Sequence, residues 1–121
     1  MKKKVIICDD DEMMQMLLGM FLKKEDAEVI PVLTGGGLMA AAKEHLPAVI
    51  LLDMMMPDKD GILALRELRA EPATASIPVI MLSAAINPET MGRAKEAGAN
   101  EFIDKPVKPA RIQEAVRKYL V

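Results

Sequence analysis

Charged and hydroxyl side chains in this sequence fall at the ends of short β-branched runs, and that placement could do chemistry. Asp9-Asp10-Asp11-Glu12 follow the run at residues 4–8, and Asp53 follows the run at 49–52. Ser83-Ala84 follow residues 79–82, and Lys105-Pro106 come just after 101–103. The run at 28–32 leads to Thr34, with nothing acidic. In an open parallel sheet, ligands sit beyond the carboxyl ends of the strands, where strand order reverses. Two carboxylates about 4 Å apart repel by roughly 4 kcal/mol at an effective dielectric near 20. Asp9, Asp10 and Asp53 together would fare worse, and Lys105 offsets only one charge. Such a cluster wants a cation. Hard oxygen donors with room for water suit Mg²⁺ better than Zn²⁺, and no His or Cys set accompanies them. A metal beside Asp53 would neutralise an incoming phosphoryl group, whose other oxygens Lys105 and the Ser83 hydroxyl could hold. That is what phosphoryl transfer to a carboxylate requires.

The elements that must position these residues alternate strictly. Strand-like runs at 4–8, 28–32, 49–52, 79–82 and 101–103 are separated by helical patterns at 11–24, 36–45, 61–71, 88–97 and 109–120. Three of the runs are continuously apolar, as strands covered on both faces are. Pro31 suits an edge strand. Met13, Met14, Leu17, Leu18 and Phe21 recur at helical spacing. Pro88 and Pro109 fit first-turn positions, and Gly98 a helix stop. Five strand–helix pairs predict an α/β fold, a parallel sheet with helices on both faces.

At 121 residues the chain is expected to be one domain with a real core. Only Phe21, Phe102 and Tyr119 are aromatic, so Val, Ile, Leu, Ala and Met must build that core. A net charge of -2 and the absence of a basic patch with aromatics argue against direct nucleic-acid binding. Lys2-Lys3-Lys4 precede an apolar stretch that Asp9 ends too soon for a signal peptide, and no stretch could span a bilayer. The lone Cys8 points to a reducing compartment, and the expected localisation is cytoplasmic.

Other features have plain structural readings. One acid of Asp9, Asp10 and Asp11 should cap the following helix, and Asp11 is favoured. Gly35-Gly36-Gly37 lack a Gly-Lys-Ser/Thr continuation and read as a strand-to-helix turn. Met54-Met55-Met56 read as packing and loop contacts, His45 as a charge at a helix C-terminus, and Cys8 as a buried small apolar residue.

With these residues in hand, the sequence resembles the receiver domain of two-component response regulators, the CheY-like family. The matching stretches are Val5-Ile6-Ile7-Cys8-Asp9-Asp10, Leu51-Leu52-Asp53-Met54-Met55-Met56-Pro57 and Asp60-Gly61. They continue with Pro78-Val79-Ile80-Met81-Leu82-Ser83-Ala84, Ala97-Gly98-Ala99 and Phe102-Ile103-Asp104-Lys105-Pro106. Each is weak alone; together and in order they are specific and cover essentially the whole chain, so residues 1–121 are expected to form one receiver domain. The resemblance implies a single-domain, flavodoxin-like, doubly wound sheet of five parallel strands in order 2-1-3-4-5 with five helices. It implies a signalling switch that is not an enzyme beyond catalysing its own phosphorylation and dephosphorylation. Asp53 would be phosphoacceptor and metal ligand, Asp9 and Asp10 the acidic metal-side pair, and the Met55 backbone carbonyl a further ligand of Mg²⁺, with Mn²⁺ as a substitute. Ser83 would bond the phosphoryl oxygen, Lys105 would pair with it, and Phe102 would turn inward as Ser83 moves. The donor would be a phosphohistidine of a sensor kinase or phosphotransfer protein. The output would be the face of the fourth helix, fifth strand and fifth helix, contacting a protein target or relaying the phosphate onward. The chain would be a monomer or a phosphorylation-dependent dimer, either standing alone or cut from a longer protein.

Two departures from the family pattern stand out. The positions two after Asp53 and two after Ser83 are Met55 and Ala85, neither able to orient an attacking water, which predicts a long-lived phosphate. Met55 also disfavours a phosphatase with an aspartyl-phosphate intermediate, which needs an acid there to protonate the leaving group. A flavin carrier on the same architecture would need a hydroxyl-rich phosphate loop after the first strand and aromatics for the ring. The sequence offers neither.

Overall fold

The computed structural model describes residues 2–84 and 87–121. In chain order the elements are β1 (Lys3–Cys8), α1 (Glu12–Phe21), β2 (Ala27–Val32), α2 (Leu38–His45), β3 (Val49–Asp53), α3 (Gly61–Ala70), β4 (Val79–Ser83), α4 (Pro88–Ala97), β5 (Glu101–Asp104) and α5 (Pro109–Leu120). The five strands form one parallel sheet in the order β2-β1-β3-β4-β5, as the resemblance implied.

The twofold alternation of strand side chains splits the core into two layers. Ile6, Cys8, Ile50, Leu52, Val79 and Met81 face α2, α3 and α4, meeting Leu38, Ala42, Ile62, Leu65, Leu68 and Ala94. Val5, Ile7, Val49, Leu51, Ile80 and Leu82 face α1 and α5, meeting Leu18, Leu22, Ile112, Ala115 and Val116. This is why Val5–Cys8 of β1, and β3 and β4 up to their last residues, read as unbroken apolar runs: neither face sees water. Pro31 lies on edge strand β2 opposite Ile7, where its missing N–H costs no ladder bond.

Helix ends follow local chemistry. The Asp11 carboxylate accepts from the N–H groups of Met13 (2.9 Å) and Met14 (3.4 Å), which makes it the cap of α1. Pro88 and Pro109 stand in the first turns of α4 and α5, and Gly98 ends α4 at φ 106°. Two helices are shorter than expected. α1 stops at Phe21 instead of residue 24, because the Lys23 N–H turns back to Met20 O and a charged turn follows. α2 starts at Leu38 instead of residue 36, because the Gly37 N–H is held by Thr34 Oγ1 at 3.0 Å and its residue serves as the cap. The apolar residues of α1 also divide. Leu18 is buried with Met14 and Phe21 packed beside it, whereas Met13, Met16, Leu17 and Met20 are exposed.

Candidate functional site

Asp9, at the end of β1, is fully buried, and Asp53, the last residue of β3, is 6% exposed. Adjacent parallel strands bring their carboxyl ends together, so residues 44 positions apart in the chain share one hollow. Asp10 joins them from the surface: one carboxylate oxygen from each of Asp9, Asp10 and Asp53 lies within 4.8 Å of the others. Lys105, just beyond β5, reaches across β4 to place Nζ 3.0 Å from Asp53 Oδ1 and 3.4 Å from Asp9 Oδ2. The Lys105–Pro106 peptide is cis. Ser83, the buried last residue of β4, lines the small cavity of about 150 Å³ next to Asp53, with Met54, Met55, Ala84 and Lys105.

The electrostatics follow from burial. Burial pushes the Asp9 carboxyl above its ordinary value; the Asp11 N–H opposes this, Asp53 adds to it, and Lys105 relieves part. For Lys105, burial disfavours the ammonium, but the hydrogen bond and charge of Asp53, then of Asp9, outweigh it and hold the group above the lysine range. One ammonium among three carboxylates leaves negative charge uncompensated. The donor set is all hard oxygen, which fits a divalent cation of the Mg²⁺ kind. Cys8 is no candidate ligand or nucleophile: burial, then nearby carboxylates, pushes its thiol up to about 12.

The segment between β3 and α3 carries Met55 and is tightly braced. Met55 and Asp60 form an antiparallel bridge, Asp60 Oδ1 accepts from the Ile62 N–H at 2.7 Å, and the Gly61 N–H donates to Met54 O at 2.8 Å. The backbones are so close that a Cβ on Gly61 would sit 2.8 Å from Met54 Cα and 2.9 Å from Met54 O. The three methionines divide between the packing and loop roles expected of them: Met54 and Met56 are buried as packing residues, while Met55 is 76% exposed in the loop. Ala85 lies outside the described residues. Phe102 is half-buried, packed against one core layer, and lines a cleft of about 460 Å³ with Met91, Ile103, Asp104, Pro106, Lys108 and Arg111.

Two supporting residues escaped the sequence reading. Gln15 Nε2 contacts Ile7 O (2.7 Å), Asp9 O (3.1 Å) and Val32 O (3.0 Å), gathering the ends of β1 and β2 around Asp9. Its signal was a polar residue between Met14 and Leu18 on the inward side of a helix. Asp58 accepts from the N–H groups of Gly35 (3.0 Å) and Gly36 (2.9 Å), which hold its carboxyl below the usual range. The glycine-rich turn thus does bind an anion, but the anion is the chain's own, and no local pattern links residues so far apart.

The family of response regulator receiver domains matches residues 5–117, and the chain belongs to it. It is 36% identical over 90 residues to the response regulator PleD of Caulobacter vibrioides, covering 74% of this chain and 20% of PleD. It is 42% identical over 78 residues to the chemotaxis protein CheY of Bacillus subtilis, covering 64% and 63%. Among solved structures, the receiver domain of the sensor histidine kinase PA1611 from Pseudomonas aeruginosa superposes with a TM-score of 0.89. It is 25% identical, covers 99% of this chain and 98% of that one, and has a magnesium ion in its active-site cleft. The chain therefore spans only a fifth of PleD. No helix among the described residues is long and apolar enough to cross a membrane.

Proposed function

We propose that this receiver domain is a phosphorylation-dependent switch in which Asp53 accepts a phosphoryl group. The observation that carries this reading is the convergence of Asp9, Asp10 and Asp53 opposite the Lys105 ammonium in one hollow. Asp9, Asp10, Asp53 and the Met55 carbonyl would hold Mg²⁺, with Mn²⁺ as a substitute, and the ion would supply positive charge against the phosphoryl oxygens. Lys105 offers a second cation and Ser83 a hydroxyl donor for those oxygens. The donor is a phosphohistidine of a sensor kinase or phosphotransfer protein.

The switch follows from differential contacts. A phosphoryl group favours an active state only through interactions made there and not at rest. Ser83 and Lys105 would make them; Ser83 ends β4 and Lys105 follows β5, the strands that border α4 and α5. Phe102 links this end of the sheet to the cleft between α4, β5 and α5, which we assign as the surface for a protein target. Incubation with Mg²⁺ and acetyl phosphate tests the reading by intact mass: the wild type gains one phosphoryl group and Asp53→Asn gains none. A modified Asp53→Asn protein, or an unmodified wild type, overturns it.

A further inference from the structure

Next to the small cavity at Asp53 lies a second one of about 200 Å³, lined by Met54, Met55, Asp60, Ile62, Ser83, Thr90 and Arg93. Met54, Met55 and Ser83 line both, so the two cavities adjoin, one reaching Lys105 and the other the first turns of α4. Thr90 and Arg93 are three positions apart and share a helix face. Arg93 makes no ion pair among the described residues. The second cavity's other charge, Asp60, is already engaged at the N-terminus of α3, where the Ile62 N–H and the helix end hold it. A free guanidinium beside a phosphorylation site is a place for negative charge.

We propose that Arg93, with Thr90 beside it, is the leaving-group subsite for small acyl phosphates. The inference rests on Asp53 being the phosphoacceptor. In the reaction a carboxylate oxygen of Asp53 forms a bond to phosphorus, and the bond from phosphorus to the bridging acyl oxygen breaks. The electron pair leaves with that oxygen, so the donor departs as a free carboxylate and no proton is needed. A full negative charge thus develops on the departing oxygen, away from Lys105 and the acidic cluster. In-line displacement puts this oxygen on the side of the phosphorus opposite Asp53, and Arg93 lines the cavity that adjoins the Asp53 cavity at Met55 and Ser83. Charge-assisted hydrogen bonds to a developing anion are stronger in the transition state than in the ground state, which is the condition for acceleration.

The chemistry supplies its own control. Phosphoramidate delivers the same phosphoryl group, but its leaving group is neutral ammonia, which gains nothing from a cation. The readout is the ratio of the phosphorylation rate constants for acetyl phosphate and phosphoramidate, each followed by intact mass with Mg²⁺ present. In Arg93→Gln the ratio falls about tenfold, the size expected of one charge-assisted hydrogen bond in a partly wet cleft. In Arg93→Lys, which keeps the charge but loses the fork, the ratio stays within about threefold of wild type. An unchanged ratio in Arg93→Gln, or equal losses with both donors, overturns the inference. Failure of both donors to modify the wild type would instead overturn the assignment of Asp53.

Discussion

Lys105 Nζ lies 3.0 Å from Asp53 Oδ1, so the fold holds the proposed phosphoacceptor against a cation delivered from the far edge of the sheet. The lysine side chain is 20% exposed and that of Asp53 8%, which makes this a largely buried pair. Removing one partner of such a pair leaves a charge without compensation. Lys105→Met should therefore lower stability by about 2 kcal/mol at neutral pH without divalent cations. The folded pKa of Lys105 is raised, so the stability it lends is fully present below the ordinary lysine value. That stability is lost only as pH rises through the folded value. Urea denaturation across pH checks this, and a mutant as stable as wild type at neutral pH contradicts it.

Asp9 makes the opposite contribution. Its carboxyl is pushed up by burial and by Asp53, so the folded chain takes up a proton there more readily than the unfolded chain. The resulting stabilisation is present in acid and is lost as pH rises from the ordinary aspartate value through the folded one. Asp9→Asn can still accept from the Asp11 N–H, and it should stabilise the metal-free fold by about 1 kcal/mol at neutral pH. In the wild type Mg²⁺ should raise the melting temperature, because an ion that binds only the folded state stabilises it. The substitution should remove most of that rise. Thermal melts with Mg²⁺ and with chelator decide the matter: an equal Mg²⁺ response in both proteins would exclude Asp9 as a ligand.

The strands and the residues at their ends were legible because both depend on periodicity, whereas the order of strands in the sheet came from the resemblance alone. Continuous apolar runs mark doubly covered strands, and whatever follows such a run stands at the carboxyl edge. Asp9, Asp53, Ser83 and Lys105 could each be read that way. What escaped depends on partners distant in the chain. Gln15 matters through the carbonyl of Val32, Asp58 through Gly35 and Gly36, and Arg93 through a cleft shared with Met55. Which methionine of the 54–56 run is exposed was not legible, because a methionine run has no periodicity to separate the exposed residue from the buried ones. The end of α1 was placed too late for a related reason: the charged residues after Leu22 are good helix formers, and only the turn to β2 forbids them.

Gly61 tests how closely the β3–α3 segment must approach the start of α3. A methyl group there would press on Met54 Cα and Met54 O, both backbone atoms that cannot rotate away. Gly61→Ala should cost about 2 kcal/mol, as overpacking against a fixed neighbour does. It should also slow phosphorylation more than Ala substitution at exposed Gly92, where an added Cβ meets nothing. Equal stability and equal phosphorylation for the two variants would show that the segment yields freely.

Met55 bears on the lifetime of the phosphate. Its side chain is exposed beside Asp53, yet it offers no strong hydrogen bond to a water molecule. Hydrolysis needs a water held in line, so the aspartyl phosphate should persist for minutes after the donor is removed. Met55→Asn or Met55→Gln should shorten that time several-fold by giving the water a partner. Decay followed by intact mass checks both statements, and complete loss from the wild type within seconds would refute the first.

Tyr119 provides a spectroscopic reading of the assigned output face. Its hydroxyl donates to Glu101 at 2.7 Å, tying α5 to β5 beside Lys118 and Arg111. Burial, and then the hydrogen bond and charge of Glu101, push the phenol from 10.0 up to about 12. A raised value means the fold favours the neutral phenol. The associated stability is fully present below the ordinary tyrosine value and is lost as pH rises through about 12. The chain has one tyrosine and no tryptophan, so phenolate absorbance reports this residue without interference. The wild type should titrate well above the ordinary value, and Glu101→Gln, which keeps an acceptor but removes the charge, should bring the midpoint down. A wild-type midpoint at the ordinary value would mean that α5 and β5 are not joined by this contact in solution.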